Sequence, residues 1–353
     1  MSKFDRPSKI LIWIILTAGI AAISSAALLI RLALQAAGEE GIGVSLSIAA
    51  MRLTMATLLL LPINYTQHLG RTKRNPRSTL RSNQREDPKT PPLAQPALAL
   101  KDELQSDRAI NPATKTQAIP RSESTILIAI ASGLLLALQF CTWTTSLSYT
   151  SIAASTTLVT TNPVWTALIG WWWGKERLSW TTWLGMAIAL TGGVVIAQAD
   201  GDPQTASNPA LGNLLALLGA IAMSLYFHLA QQSQKRGLSL NRHIAIAYGS
   251  AALFLLPLPF LAQTYYWHFS TQFYGFVFLL AIAPQLIGHT SLNWSLRWTS
   301  PTAVAIVTLC EPVLASVLGY LFLSEAVAIV TMIGAALILA GVAISLWQLA
   351  QTK

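Results

Sequence analysis

The sequence predicts an all-α integral membrane protein: ten transmembrane helices arranged as two inverted five-helix repeats, with the N- and C-termini cytoplasmic. Three observations carry that expectation. The chain contains ten long apolar runs, its basic residues fall on one side of them, and its second half matches its first at a fixed offset. Of the 353 residues, 53 % are hydrophobic and 10 % charged, with mean hydropathy +0.51. Soluble domains carry about 25 % charge, so a soluble globular protein is excluded. The net charge of +9 would suit nucleic acid, but no compact basic patch with interleaved aromatics accompanies it, and no nucleic-acid partner is expected. Cys141 and Cys310 both lie in apolar runs, which leaves neither a disulfide framework nor paired zinc ligands.

A spanning helix needs about 20 mainly apolar residues, because each residue rises about 1.5 Å through a hydrocarbon layer about 30 Å thick. The runs that qualify are 10–34, 44–65, 124–147, 152–173, 182–198, 211–232, 243–262, 273–294, 301–323 and 327–349. The first exceeds the roughly 7–15 residues of a signal-peptide core and reads as a retained span. Residues 66–123 contain no Phe, Trp or Tyr, seven of the seventeen prolines, and eleven Lys or Arg among six acids. Such a segment buries too little apolar surface to offset chain ordering, so it reads as a disordered basic cytoplasmic linker. It is either a passive solvated connection or a polybasic segment that contacts anionic lipid.

Orientation follows from the charges. With the N-terminus inside, Lys3, Arg6, Lys9, the linker cations, Lys175, Arg177, Lys235, Arg236, Arg242, Arg297 and Lys353 all fall in the cytoplasm. The outer connections carry Glu39, Glu40, Asp200, Asp202 and Glu325 instead, so the positive-inside rule is satisfied even without the linker. Tyr265–Trp267 outside and Trp171–Trp173, Trp180 and Trp183 inside fit the interfacial aromatic belts.

Sliding the chain by 149 residues brings Pro163-Val164 onto Pro312-Val313, Gly170 onto Gly319, Glu176 onto Glu325, Gly185 onto Gly334 and Gly192 onto Gly341. The match continues earlier at 195 (Leu61-Pro62 on Leu256-Pro257) and at 200 (Gly19, Ala22 and Ser24 on Gly219, Ala222 and Ser224). The difference between the offsets is comparable to the excess length of 66–123, which therefore reads as an insertion into one copy. The first repeat is then 10–65 plus 124–198, and the second is 211–349. A five-span unit is odd-numbered, so its second copy enters the membrane from the opposite side. Inverted repeats of this kind give carriers two similar-energy states around one midplane site.

Pro163-Val164, Gly170, Glu176, Gly185 and Gly192, repeated as Glu311-Pro312-Val313, Gly319, Glu325, Gly334 and Gly341, resemble the paired signature of EamA-type permeases of the drug/metabolite transporter superfamily. Met51-Arg52-Leu53 is similar to the start of that family's second helix. The resemblance covers nearly all of the chain outside 66–123. It implies ten helices, cytoplasmic termini, and transport of a small metabolite across the plasma (inner) membrane. The long insertion departs from the family's usual short second connection.

A charge at the centre of a span costs about 2.5–3.5 kcal/mol and normally faces a cavity or a partner. Glu311 lies near the midplane of the ninth span and reads either as a substrate contact or proton carrier, or as a structural acid beside Pro312. Its repeat counterpart is neutral Asn162, so any charge-linked step is asymmetric. Arg52 lies beyond easy snorkelling depth and is expected to pair with Glu311 or share a ligand with it. Gln285, His289 and Asn293 recur at i, i+4 and i+8 and predict one polar stripe on the eighth span. Gln139 and Trp143 offer a polar group and an aromatic face on the third. Pro163 and Pro312 remove backbone hydrogen bonds at matching depths and predict a hinge in the fourth and ninth helices.

No HExxH, GxSxG or cysteine-pair pattern accompanies these residues, so no catalytic, metal or cofactor site is expected. The expected function is a secondary active transporter working by alternating access on a small, amino-acid-like metabolite, in the efflux direction. A nucleotide-sugar or phosphorylated-metabolite carrier is the alternative within carriers, although its ligand would need more cations than Arg52. A channel or scaffold is the alternative outside them. The expected partners are the small-molecule substrate and the lipid bilayer.

Overall fold

The computed structural model describes residues 7–38, 41–72, 121–146, 149–150, 152–174, 177–199, 208–323 and 328–351. These residues form helices and connecting turns, with no strand among them. Residues 1–64 and 125–353 make one compact body, and 65–124 a second unit. The interior of the expected insertion, 73–120, and the expected reporters of sidedness, Glu176 and Glu325, lie outside the described residues.

The helices in chain order are α1 (Lys9–Ala37), α2 (Ile42–Thr72), α3 (Arg121–Ser146), α4 (Ile152–Val159), α5 (Asn162–Gly174), α6 (Trp180–Ala199) and α7 (Pro209–Lys235). They continue as α8 (Leu240–Leu255), α9 (Leu258–Leu261), α10 (Thr271–Leu280), a π-helical segment (Ala281–His289), α11 (Thr290–Leu296), α12 (Pro301–Thr308), α13 (Glu311–Leu323) and α14 (Ile329–Gln351). The helix ends are marked by local chemistry. Ser8, Asn208, Ser270 and Ser300 accept backbone N–H groups at the starts of α1, α7, α10 and α12, and Gly38 at φ 69° closes α1 in the left-handed conformation. Helices α2 and α3 run past the expected spans, to Thr72 and back to Arg121. A helix that leaves the membrane can continue while its side chains remain solvated.

Among the described residues, eight helical stretches are long and apolar enough to cross a membrane, against ten expected. The expected fourth span is divided into α4 and α5, each too short by itself, and the fifth contributes only the shorter apolar helix Trp180–Ile196. Much of the apolar surface faces outward: Trp172 is 86 % and Leu261 80 % exposed. Such an exterior suits lipid and would aggregate in water.

Two internal equivalences organise the packing. Gly185 on α6 meets Gly341 on α14, and Gly192 meets Gly334. Advancing along one helix means retreating along the other, so α6 and α14 run antiparallel. Under the 149-residue offset each of these contacts is the other one with its partners exchanged. A Cβ at any of the four glycines would come no farther than 2.7 Å from a carbonyl oxygen of the facing helix. The second equivalence is that Gly19 on α1 faces Gly288 and Ser291, while Gly219 on α7 faces Gln139 and Thr142. Offsets of 200 and 149 convert the first set of residues into the second.

Candidate functional site

Two broken helices build the site. Helix α4 ends at Val159 and α5 begins at Asn162; α12 ends at Thr308 and α13 begins at Glu311. Each break comes immediately before the Asn-Pro or Glu-Pro pair, because proline supplies no N–H to the preceding turn and crowds its carbonyls. The turns are closed by short-range bonds instead, Thr161 N–H to Leu158 O and Cys310 N–H to Val307 O at 3.2 and 3.1 Å. Glu311 is thereby placed in the first turn of α13, where the positive end of the helix dipole favours a negative charge.

Between these breaks lies a cavity with about 630 Å³ of atom-free space, its open mouth included. Six of the residues singled out in the sequence line it: Arg52, Gln139, Trp143, Asn162, His289 and Glu311. Arg52 is only 3 % exposed; its Nε donates to Gln285 Oε1 at 3.0 Å, and its guanidinium carbon lies 4.2 Å from the centre of the Phe140 ring. The edge of that ring in turn meets His289, with centroids 5.6 Å apart. Thr308 donates to Asn162 Oδ1 at 3.5 Å, which ties the two broken spans together beside the carboxylate. Gln139 Oε1, Trp143 Nε1 and His289 Nδ1 are buried and have no hydrogen-bond partner among the described residues. Such groups cost stability unless a ligand or water meets them.

Two expectations take a different shape here. Arg52 and Glu311 line the same cavity, but the hydrogen bond of Arg52 goes to Gln285, which makes Gln285 a support for the guanidinium and not a lining residue. The stripe of Gln285, His289 and Asn293 does not present one surface. The backbone widens into the π-helical segment, which contains Pro284, and a spacing of four no longer keeps residues in register there. His289 reaches the cavity, whereas Asn293 Nδ2 donates to the Tyr226 hydroxyl at 2.6 Å, away from the lining.

Sequence reasoning missed Phe140, Met223 and Thr308, although the repeat held a signal for them. Of the fourteen lining residues, ten fall into five pairs of repeat counterparts: Ile23 with Met223, Phe140 with His289, Trp143 with Leu292, Val159 with Thr308, and Asn162 with Glu311. Phe140 and His289 even touch each other, so the cavity straddles the relation between the halves.

The model of the EamA-like transporter family matches residues 110–198 and 210–347. The thiamine-repressible mitochondrial transport protein of Saccharomyces cerevisiae is 30 % identical over 171 residues, which is 46 % of each chain. An uncharacterized transporter of Bacillus subtilis is 24 % identical over 192 residues, 54 % of this chain and 61 % of that one. The match thus spans about half of the first relative's length and less than two thirds of the second's. A solved crystal structure superposes on 98 % of this chain and 100 % of its own with TM-score 0.68 at 17 % identity, a likeness of fold.

Proposed function

Because the chain belongs to the EamA-like transporter family, we propose that it is a secondary carrier that exports a small zwitterionic or neutral organic metabolite, amino-acid-like in character, across the plasma membrane. Its ten spans form two inverted five-helix repeats with cytoplasmic termini, and the cavity between them faces each side in turn. The observation that carries this reading is the composition of the cavity wall, ten of whose fourteen residues are repeat counterparts of one another. A site lined at matching positions by two antiparallel copies can be exposed to either side by the same motion performed in one copy or the other. The antiparallel contact of α6 with α14 supports inversion, and the paired breaks before Pro163 and Pro312 supply matching places to bend.

The ligand class follows from the wall. Arg52 offers one cationic group with donors left over after its bond to Gln285, Glu311 offers one carboxylate, and Phe140 and Trp143 offer flat apolar faces. One cation beside one anion suits a zwitterion: its carboxylate goes to Arg52 and its ammonium to Glu311. A diphosphate would bring at least two negative charges to a single guanidinium and be repelled by Glu311. Neither a metal nor a cofactor enters this scheme.

Purified protein in sealed proteoliposomes tests the reading with radiolabelled amino acids and, as competitors, nucleotide sugars. Saturable uptake that is accelerated by unlabelled amino acid inside is expected. Competition by nucleotide sugars alone would overturn the ligand class, and a non-saturating conductance would overturn the carrier.

A further inference from the structure

A second group of buried polar side chains lies outside the cavity wall, between α7, α8 and α11. Tyr226 accepts from Asn293, Gln234 Nε2 donates to the Asn293 carbonyl at 2.9 Å, and Ser233 Oγ and His243 Nδ1 are 2.8 Å apart. All five residues are at most 4 % exposed. Among the described residues, four atoms of this seam make no hydrogen bond: Gln234 Oε1, His243 Nε2, Asn293 Oδ1 and Ser295 Oγ, of which the His243 and Asn293 side chains lie close to each other. One end of the seam adjoins the cavity, since Tyr226 is one turn beyond Met223 on α7 and Asn293 one turn beyond His289. The other end reaches the membrane face that carries Lys235, Arg236 and Arg242, where Lys235 Nζ donates to Gln231 Oε1 at 2.8 Å.

The repeat gives this arrangement a built-in control. The counterparts of Tyr226, Ser233, Gln234 and His243 are Ala26, Ala33, Leu34 and Ile48. Ala26, Ala33 and Ile48 belong to an apolar core cluster, and Leu34 packs against it. At these four positions close packing needs no polar side chain, whereas Asn293 and Ser295 have the buried polar counterparts Thr144 and Ser146. Buried polar atoms without a protein partner are normally met by ordered water.

We propose that the seam is a one-sided hydration route, by which the ionisable groups of the cavity keep proton exchange with the basic face of the membrane even while the cavity opens to the opposite face. A serine hydroxyl has one proton. If Ser233 directs it to the Ala230 carbonyl, 3.0 Å away, His243 keeps a proton on Nδ1 and presents Nε2 as an acceptor. If Ser233 directs it to Nδ1, His243 presents Nε2–H as a donor. In either case the Ser233–His243 pair keeps its own protons, and a proton moves along the waters of the seam, each water taking up one proton as it releases another. The titratable groups buried along the seam are Tyr226 on α7 and His243 and Tyr248 on α8, and Lys235 is exposed at its outer end. At its cavity end stand His289, Arg52 and Glu311.

The inference deepens the carrier reading, but its test needs no substrate flux, so either can fail without the other. Ser295 and its counterpart Ser146 are both fully buried, and each becomes a cysteine in a protein lacking Cys141 and Cys310. Silver ion is presented to one face of oriented vesicles, and unreacted thiol is captured by maleimide after denaturation. From the face bearing Lys235, S295C is expected to react about tenfold faster than S146C, and from the opposite face neither reacts. Equal rates at the two positions, or equal rates from the two faces, would overturn the route. Should the variants not fold, hydroxyl-radical footprinting of the unmodified protein decides instead. Oxidation of Tyr226 is expected to exceed that of its equally buried neighbour Phe227 about fivefold, and equal oxidation overturns the proposal.

Discussion

At the cavity the first half of the chain presents Phe140, Val159 and Asn162 where the second half presents His289, Thr308 and Glu311. Around it the polar member comes from either half. The hydrogen-bonded pair Arg52 and Gln285 has Ala247 and Leu136 as its counterpart, two buried apolar residues. The glycine contacts of α6 with α14, by contrast, are shared equally by the two halves. The groups that determine how closely helices approach are the same in the two halves, while the cavity-lining side chains differ between them. On the proposed carrier reading, such an asymmetric wall suits a ligand that is itself asymmetric.

The glycine contacts give the largest expected effect, and one in which the halves behave alike. Gly185→Val and Gly334→Val should each cost about 3 kcal/mol through overpacking, read as equal losses of thermal stability in detergent. Unequal losses would break the equivalence of the halves. Next come the counterparts at the helix breaks. Glu311→Asn, which copies the first half, should remove about 1.5–3 kcal/mol of charge-assisted binding, roughly 10–100-fold in apparent affinity, while Asn162→Ala changes uptake little.

A smaller effect is expected from the guanidinium and its support. Arg52→Leu and Gln285→Leu should each weaken uptake, and a double-mutant cycle should return a coupling of about 1–2 kcal/mol, since the two act through one hydrogen bond. The charge exchange Arg52→Glu with Glu311→Arg asks a sharper question. Recovery above either single variant in the uptake assay would show that the two charges also act as a pair. The mildest change is at the contact between counterparts. Phe140→His and His289→Phe should each cost about 1 kcal/mol of ring packing and cavity polarity, and the double exchange should recover part of it.

Much of the scaffold was legible because bilayer physics writes it into composition and spacing. The long spans follow from runs of about 20 apolar residues. The equivalence of α6 with α14 follows from Gly185, Gly192, Gly334 and Gly341, and the breaks before α5 and α13 were anticipated at Pro163 and Pro312. Boundaries were less legible. Splitting the fourth span into α4 and α5 leaves two helices that length alone does not identify as spanning. Within the site, a charge or polar group in an apolar run is visible one residue at a time, which is why Glu311, Arg52 and His289 could be singled out.

The sequence by itself therefore determined the all-helical membrane architecture and the family, since each rests on hydropathy or motif spacing along the chain, and it carries the internal match at 149 residues. Tertiary structure decided which polar residues face one another. It brought Arg52 onto Phe140, gave Gln285 to Arg52, turned Asn293 toward Tyr226, and gathered Phe140, Thr308 and Met223 around the cavity. The reason is geometric: contacts between residues far apart in the chain depend on helix rotation and on local departures such as the widened turns at Ala281–His289, and a one-dimensional pattern of residue types fixes neither.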